Sequence, residues 1–422
     1  MDMPNSTRIT ASLKASLAED FFSLLTRAGE FCHKRGERLF VAGGIVRDLL
    51  IDIQSKDIDL VVEGDSHALA DEIARLYNAK ITLHQRFQTA KLSVNGFTVD
   101  IAIARKETYD HPGALPKITA GTMEDDLKRR DFSINAMAVS ISGDTYGHLV
   151  DPLGGYADLK AGIIRILHPE SFSDDPTRIF RAIRYEQRFG FEIEPETLTL
   201  LQEAKKHIPA LSADRLRYEF ECILDEQAPE KALCRASRLS VLKAVSEKLV
   251  FDMTSAGWFK SVRENNSLES PLPSLYLASW IGGMADSDAQ RLAARLNLSA
   301  DSRKTVGDIS KLKKRLINLR LPGLLPADIC RILDSITPVA IEAFTVISPD
   351  SMVKERLRMY LASLRHIRPI LGGDELIELG YSPGPDIGKA LQKIKNARLN
   401  GVVSTRKQEI EMAKNLLGRS SP

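Results

Sequence analysis

The chain has 422 residues, of which 43% are hydrophobic and 27% charged, and its 58 Lys and Arg against 56 Asp and Glu leave a formal charge of +2. That length is ample for a hydrophobic core and corresponds to about three domains. The composition excludes collagen, coiled coil, bulk disorder and, with no apolar run near the roughly 18 residues of a membrane helix, a membrane protein; a nucleic-acid partner would be held by a local basic face rather than a global excess of charge.

The N-terminal MDMPNSTRITASLKASLAED lacks the apolar stretch of a secretory leader. Cys32, Cys222, Cys234 and Cys330 stand far apart, with no CxxC and no Cys/His cluster. Neither a zinc site nor a disulfide scaffold is expected, and the setting they suit is a reducing cytoplasm. From Arg38 to about Ser142 the β-type runs RLFVAG, IDLVVEG, AKITLH, AKLSVNG, TVDIAIA and INAMAVSI alternate with helical segments, which predicts a sheet with helices packed on it. Beyond Asp151 the strand signals fade. PTRIFRAIRYEQRFG, PETLTLLQEAKKHI, RLRYEFECILDE and DAQRLAARLNL carry apolar residues at helical spacing and read as amphipathic helices. The Gly-rich DPLGGYADLKAG (Asp151–Gly162) reads as a hinge, and breaks at Pro271–Ser274 and Leu321–Asp328 suggest further helical subdomains.

Several segments carry chemistry. LFVAGGIVRDLL joins a strand to a helix through Gly43-Gly44, where the backbone can approach a ligand and the helix start offers N–H groups, with Arg47 one turn further on to fork onto a phosphate. Ten residues on, Asp57 and Asp59 in KDIDLVVEG are spaced i, i+2, which on a strand puts both carboxylates on one face. Two such acids repel unless a cation sits between them, and Mg²⁺ suits hard oxygen ligands with substrate phosphates completing its shell. A phosphate cradle followed by a metal-binding strand is what nucleotidyl transfer needs. Asp100 in TVDIAIA is a further acid on a strand, either completing the site or serving as a buried polar anchor; Arg130 and Asn135 in DDLKRRDFSINAMAVS could hold triphosphate or ribose.

In SDDPTRIFRAIRYEQRFGF, Pro176 fits a first helical turn, Asp175 and Arg178 are three apart, and Arg181 and Arg184 extend the stripe. An Asp is an acceptor beside the donor fork of an Arg. Cytosine and adenine each present an amino donor beside a ring-nitrogen acceptor, whereas guanine and uracil present the opposite order, so the pair would accept C and A and reject G and U. The alternative is an ordinary i, i+3 salt bridge on an exposed helix.

In order along the chain, GGIVRD, DIDLVV, RRDFSINAMA, DPLGGYADLKAGIIR, DDPTRIFRAIR and SADRLRYEF resemble the successive motifs of the class II tRNA nucleotidyltransferases, the bacterial CCA-adding enzyme and poly(A) polymerase family within the DNA polymerase beta superfamily. The tail GGDELIELGYSPGPDIGKALQKIKNARLNG is similar to the C-terminal segment of many members. The resemblance implies an α+β protein, a small β-sheet head followed by helical neck, body and tail that grip the tRNA acceptor arm. On this chain those would be 1–142, 143–224, 225–325 and 326–422. It implies that Asp57 and Asp59 bind catalytic Mg²⁺, that Gly44, Arg47 and Arg130 hold the triphosphate, and that Asp175 and Arg178 read the base with Arg181 and Arg184 completing the nucleotide site. Asp174 stands where the family usually has Glu, a change that keeps the charge.

CTP, ATP and tRNA are the implied substrates, and full CCA addition is the expected activity. Addition of the terminal A only, of CC only, and poly(A) tailing are alternatives within the family; a catalytically dead RNA-binding protein is one from outside it. HQRFQTAKL (His84–Leu92) resembles the tRNA enzymes rather than poly(A) polymerases, and Glu107–Asp126 occupies the place of the loop that helps switch the pocket from C to A, which CC-only enzymes have shortened.

Overall fold

Alternating burial turns the first apolar runs into strands. In a computed structural model describing residues 6–16, 19–53, 57–84, 88–94, 97–108 and 116–418, these are β1 (Arg38–Ala42), β2 (Asp57–Glu63), β3 (Lys80–His84), β4 (Thr89–Val94) and β5 (Phe97–Ile103). A hairpin of β6 (Arg105–Thr108) and β7 (Lys117–Ala120) follows, then β8 (Ala138–Ser140) and β9 (Leu149–Val150). Seven of them form one mixed sheet in the order β3-β4-β5-β2-β1-β8-β9. Its β2–β5 ladder is parallel, and the other ladders within it are antiparallel. Ile58 and Leu60 of β2 and Val99 and Ile101 of β5 are fully buried, so the intervening Asp59 and Asp100 share the polar face.

The first unit of the chain, Met1–Arg215, adds helices α1 (Ser6–Ser16), α2 (Glu19–Lys34), α3 (Gly44–Leu50), α4 (Ser66–Tyr77), α5 (Met123–Lys128), α6 (Gly155–Ala161), α7 (Ser171–Asp174), α8 (Thr177–Phe189) and α9 (Pro195–Ala204). Short strands β10 (Ile163–Ile164) and β11 (Glu192–Ile193) pair in parallel. The core that supports the site joins Phe40, Ala42 and Val61 of the sheet to Met123 and Leu127 of α5 and to Ala136 and Ala138. The Gly-rich seam is packed tightly. A Cβ on Gly155 would lie 2.1 Å from the carbonyl oxygen of Ser133, and the Ser133 hydroxyl donates to Asp158 of α6 at 2.6 Å. Only glycine permits that approach.

The division between the units falls within α10 (Ala213–Leu224), and the second unit is Leu216–Pro422. The second unit is helical: α11 (Pro229–Arg238), α12 (Val241–Val245), α13 (Met253–Glu264), α14 (Leu272–Gly283), α15 (Asp286–Arg295), α16 (Ala300–Arg315), α17 (Pro326–Leu333), α18 (Pro338–Ile347), α19 (Ser351–Ala362), α20 (Gly373–Glu378), α21 (Pro385–Leu399) and α22 (Arg406–Gly418). Trp280 packs edge-on to Phe251 and stacks on Phe220 at its centre. Leu376, Ile394 and Ala413 form the core of α20–α22. No helix among the described residues is long and apolar enough to cross a membrane.

The strand expectations for β1 to β5 hold, and the chain is α+β as expected, with its sheet at the N-terminus and helices after it. INAMAVSI differs: Ser133–Asn135 is a 3-10 turn, and only Ala138–Ser140 is strand. Residues 85–87 of the His84–Leu92 motif and 109–115 of the Glu107–Asp126 stretch lie outside the described residues. What is described of the latter is the β6–β7 ladder, which aligns Arg105 with Ala120 and Thr108 with Lys117.

Candidate active site

Gly43 follows β1 and caps α3, with a φ of +85° and ψ of −137° that suit glycine alone. The bare Cα matters there. A Cβ would sit 2.2 Å from Arg130 Nη1 and 3.7 Å from Asp59 Oδ2, so the missing methyl is what lets the Arg130 guanidinium come against the backbone near the exposed Asp59 carboxylate. The parallel register places Asp59 directly opposite Asp100, which also pairs in register with Lys91 of β4. Lys91 Nζ lies 3.5 Å from Asp100 Oδ2, both side chains being substantially exposed.

Asp57 heads β2, and its side chain is outside the described residues. Among the described residues no three His, Cys, Asp or Glu side chains gather to hold a metal ion. Asp59 and Asp100 are neighbouring hard oxygen donors of the kind a divalent cation takes, and the chemistry of that donor pair fits such an ion.

Arg47 is 4% exposed, one turn into α3 and facing inward. Its Nη1 donates to Asn135 Oδ1 at 2.6 Å, and Nε and Nη2 donate to Asp48 Oδ1 at 2.9 and 2.6 Å. Its guanidinium lies over Phe189 and Tyr185 of α8, 4.5 and 5.3 Å from the ring centroids. Gly44 opens α3 with Arg47 Nη2 3.5 Å from where its Cβ would be. Asn135 in turn donates to Asp131 Oδ1 at 3.0 Å, and Arg181 donates to Asp131 Oδ2, 2.8 Å from Nε and 2.7 Å from Nη2. Burial alone would raise the Asp131 carboxyl, but Arg181, Asn135 and the nearby Arg178 together hold it down to about 2.

The Arg178 backbone N–H donates to the Asp175 carbonyl at 3.0 Å, but among the described residues their side chains bond to other partners. Asp175 precedes α8 in an extended conformation. Its Oδ1 accepts from Thr177 N (3.0 Å), Thr177 Oγ1 (2.6 Å) and Arg215 Nη2 (2.5 Å). Arg178 is 6% exposed; Nη1 donates to Ser171 Oγ at 2.6 Å and Nη2 to the Arg129 carbonyl at 2.6 Å. Arg184 is equally buried and lies over the Tyr185 ring at 4.9 Å. The two side chains are thus tied to separate partners, and neither is spent on an i, i+3 salt bridge with the other.

Residues 39–165 match the family described as the poly A polymerase head domain, and 190–250 match the probable RNA and SrmB-binding site of polymerase A. An A-adding tRNA nucleotidyltransferase of Halalkalibacterium halodurans is 31% identical over 99% of this chain and 98% of its own length. The chain belongs to the tRNA nucleotidyltransferase family. A CC-adding relative from Deinococcus radiodurans is 27% identical over 99% of this chain and 98% of its own. The Thermotoga maritima CCA-adding enzyme complexed with tRNA superposes with a TM-score of 0.75 at 29% identity, covering 100% of both chains.

Sequence reasoning passed over three residues of this nucleotidyltransferase. Asp131 organises Arg181 and Asn135, Arg215 holds Asp175, and the fully buried Asp126 holds Arg129 and Arg130. The signal for Asp131 was present in the RRD run, as an acid directly after two arginines. Nothing local points to Arg215, whose partner is 40 residues away.

Proposed function

We propose that this nucleotidyltransferase adds CCA to the 3′ end of tRNA from CTP and ATP, without a nucleic-acid template and with release of pyrophosphate. The observation that supports this reading is that the Asp175 acceptor and the Arg178 donor fork are anchored to other partners and are not spent on a side-chain salt bridge with one another. That order complements the pairing edges of both C and A and leaves buried groups unpaired against U or G.

The family generally uses divalent metal ions. Asp57 and Asp59 would hold Mg²⁺, with Asp100 beside them, and a bound ion supplies charge neutralisation for the phosphates and a lowered pKa for the attacking 3′-hydroxyl. The chain's own residues do the rest. Gly43 and Gly44 keep the backbone close to the triphosphate, and Arg130 faces its negative charge from beside Gly43. Arg47 and Arg181, tied to Asp131 through Asn135 and directly, set the position of α8 and hence of Arg178 and Arg184, which border the base. Holding substrate and hydroxyl in line is the main catalytic contribution left to such a site.

Addition of the terminal A alone is the second reading, favoured by the A-adding relative that matches nearly the whole chain. Product sequencing with Mg²⁺, CTP and ATP on three tRNAs decides it: one lacking CCA, one ending in C and one ending in CC. Completion of all three supports full addition. Extension of the CC-ending tRNA alone supports A addition, a stop at CC supports CC addition, and no extension of any supports an inactive RNA-binding protein.

A further inference from the structure

The hairpin β6–β7 brackets residues 109–115 and is physically joined to the catalytic end of the sheet. Glu107 on β6 accepts from Arg105 Nε at 3.0 Å and from Arg129 Nη1 at 3.0 Å, both on Oε1. Arg129 reaches inward with its other edge, donating to Asp126 Oδ1 from Nε at 2.9 Å and from Nη2 at 2.6 Å. The second oxygen of Asp126 accepts from Arg130 Nε and Nη2 at 3.2 and 3.0 Å. Asp126 is 0% exposed.

Such burial of a carboxylate is tolerable only with full pairing, and here both oxygens are taken up by two guanidinium forks. Fork-type binding through Nε and Nη2 fixes the plane of the Arg130 guanidinium, which puts its remaining nitrogen, Nη1, beside Gly43 and near Asp59. The carbonyl of Arg129 also receives Arg178 Nη2, so the end of α5 touches the base-facing arginine as well.

We propose that Asp126 is a positioning residue coupling the β6–β7 hairpin stem to the nucleotide-facing edge of Arg130, through the sequence Glu107–Arg129–Asp126–Arg130. The proposal rests on the reading of Gly43, Asp59 and Arg130 as the triphosphate end of a nucleotidyl-transfer site. A shift of the hairpin that moves Glu107 changes the pull on Arg129, and the shared carboxylate passes that change to Arg130. A chain of contacts between Glu107 and Arg130 among the described residues runs through Arg129 and Asp126.

The test is a double-mutant cycle with Glu107→Gln and Arg130→Lys, in the wild-type background and again with Asp126→Asn. Nucleotide and tRNA kinetics are measured separately, with thermal unfolding as a check on folding. The expected result is non-additivity of about threefold or more in kcat/KM for ATP, carried by the nucleotide KM and not by the tRNA KM, and loss of that non-additivity in the Asp126→Asn background. Additive effects in the wild-type background would overturn the proposal, as would coupling that persists with Asn at 126. If Asp126→Asn does not fold, the wild-type cycle decides alone. A wild-type protein that transfers no nucleotide would overturn the functional reading and this proposal with it, whereas an active wild type with an additive cycle would overturn only the proposal.

Discussion

Asp131 and Arg181 stand 2.7 Å apart, carboxylate to guanidinium, and through that contact the turn after α5 holds the second turn of α8. The pair is half of a longer run, since Asp131 also receives Asn135, Asn135 receives Arg47, and Arg47 lies against Tyr185 and Phe189 of the same helix α8. The two ends of α8 facing the sheet are therefore fixed by charge at Arg181 and by aromatic packing around Arg47.

The depressed Asp131 carboxyl makes this contact a pH-dependent source of stability. Its folded pKa of about 2 lies below the unfolded value near 4, so the stabilisation is complete at neutral pH and is lost as pH falls from about 4 through about 2. It is on the order of 2 kcal/mol. Asp131→Asn should lower the thermal midpoint at pH 7 and flatten the acid limb of a stability-against-pH curve in that window. An unchanged acid limb would remove Asp131 from the account.

Gly43→Ala should damage transfer more than folding. Its methyl meets the far end of Arg130, 2.2 Å away, and room is made only by shifting that guanidinium on its Asp126 anchor. The backbone strain costs about 1–3 kcal/mol, whereas a misplacement of about 1 Å at a reacting centre costs about 10²-fold in rate. Steady-state kinetics with CTP and with ATP should fall together, while circular dichroism shows a folded protein. Near-normal turnover would mean that the close approach of Arg130 to Gly43 does not serve the substrate.

Asp59→Asn should abolish incorporation of both nucleotides, and so should treatment of the wild type with a chelator followed by removal of free metal. A loss of about 10³-fold or more is expected, since a metal contributes several kcal/mol to the transition state. Asp59 is exposed, so its amide variant should melt close to the wild type. Chelator-resistant activity would sink the metal assignment.

Asp175→Asn should relax base choice. With one carboxylate oxygen replaced by a donor, the CTP to UTP ratio of kcat/KM should collapse from a value on the order of 10⁴ toward unity. Arg215→Ala, which leaves the acceptor in place but removes its anchor at 2.5 Å, should lower kcat/KM for CTP and ATP while keeping most of the discrimination. Equal ratios in wild type and Asp175→Asn would reduce the residue to a helix-start contact.

The sheet was legible because its strands alternate or run apolar, and because Asp57-x-Asp59 is a local pattern whose face follows from strand geometry. The hairpin β6–β7 was not. RKET is wholly polar and KITA half so, both are short, and pairing across eight intervening residues leaves no periodic trace. The burial of Arg47 was equally hidden, because an arginine one turn past two glycines reads as a surface group until Tyr185 and Phe189 arrive from far along the chain. Asp175 and Arg178 were placed by spacing on one helix, yet Asp175 lies before its first turn and turns to Arg215. Long-range partners of charged residues are what a single sequence conceals.

The parallel β2–β5 ladder has a consequence for how the protein loses activity. β3, β4 and β5 form a local antiparallel meander, and β1 and β2 a second local pair, so the boundary between these two parts of the sheet runs between Asp59 and Asp100. Closing it brings together residues about 40 apart in the chain, the costlier kind of contact in loop entropy. That non-local seam passes between Asp59 and Asp100, the carboxylates proposed to lie at the metal site. Denaturant that loosens it should silence nucleotide transfer at concentrations that leave the far-ultraviolet helical signal intact.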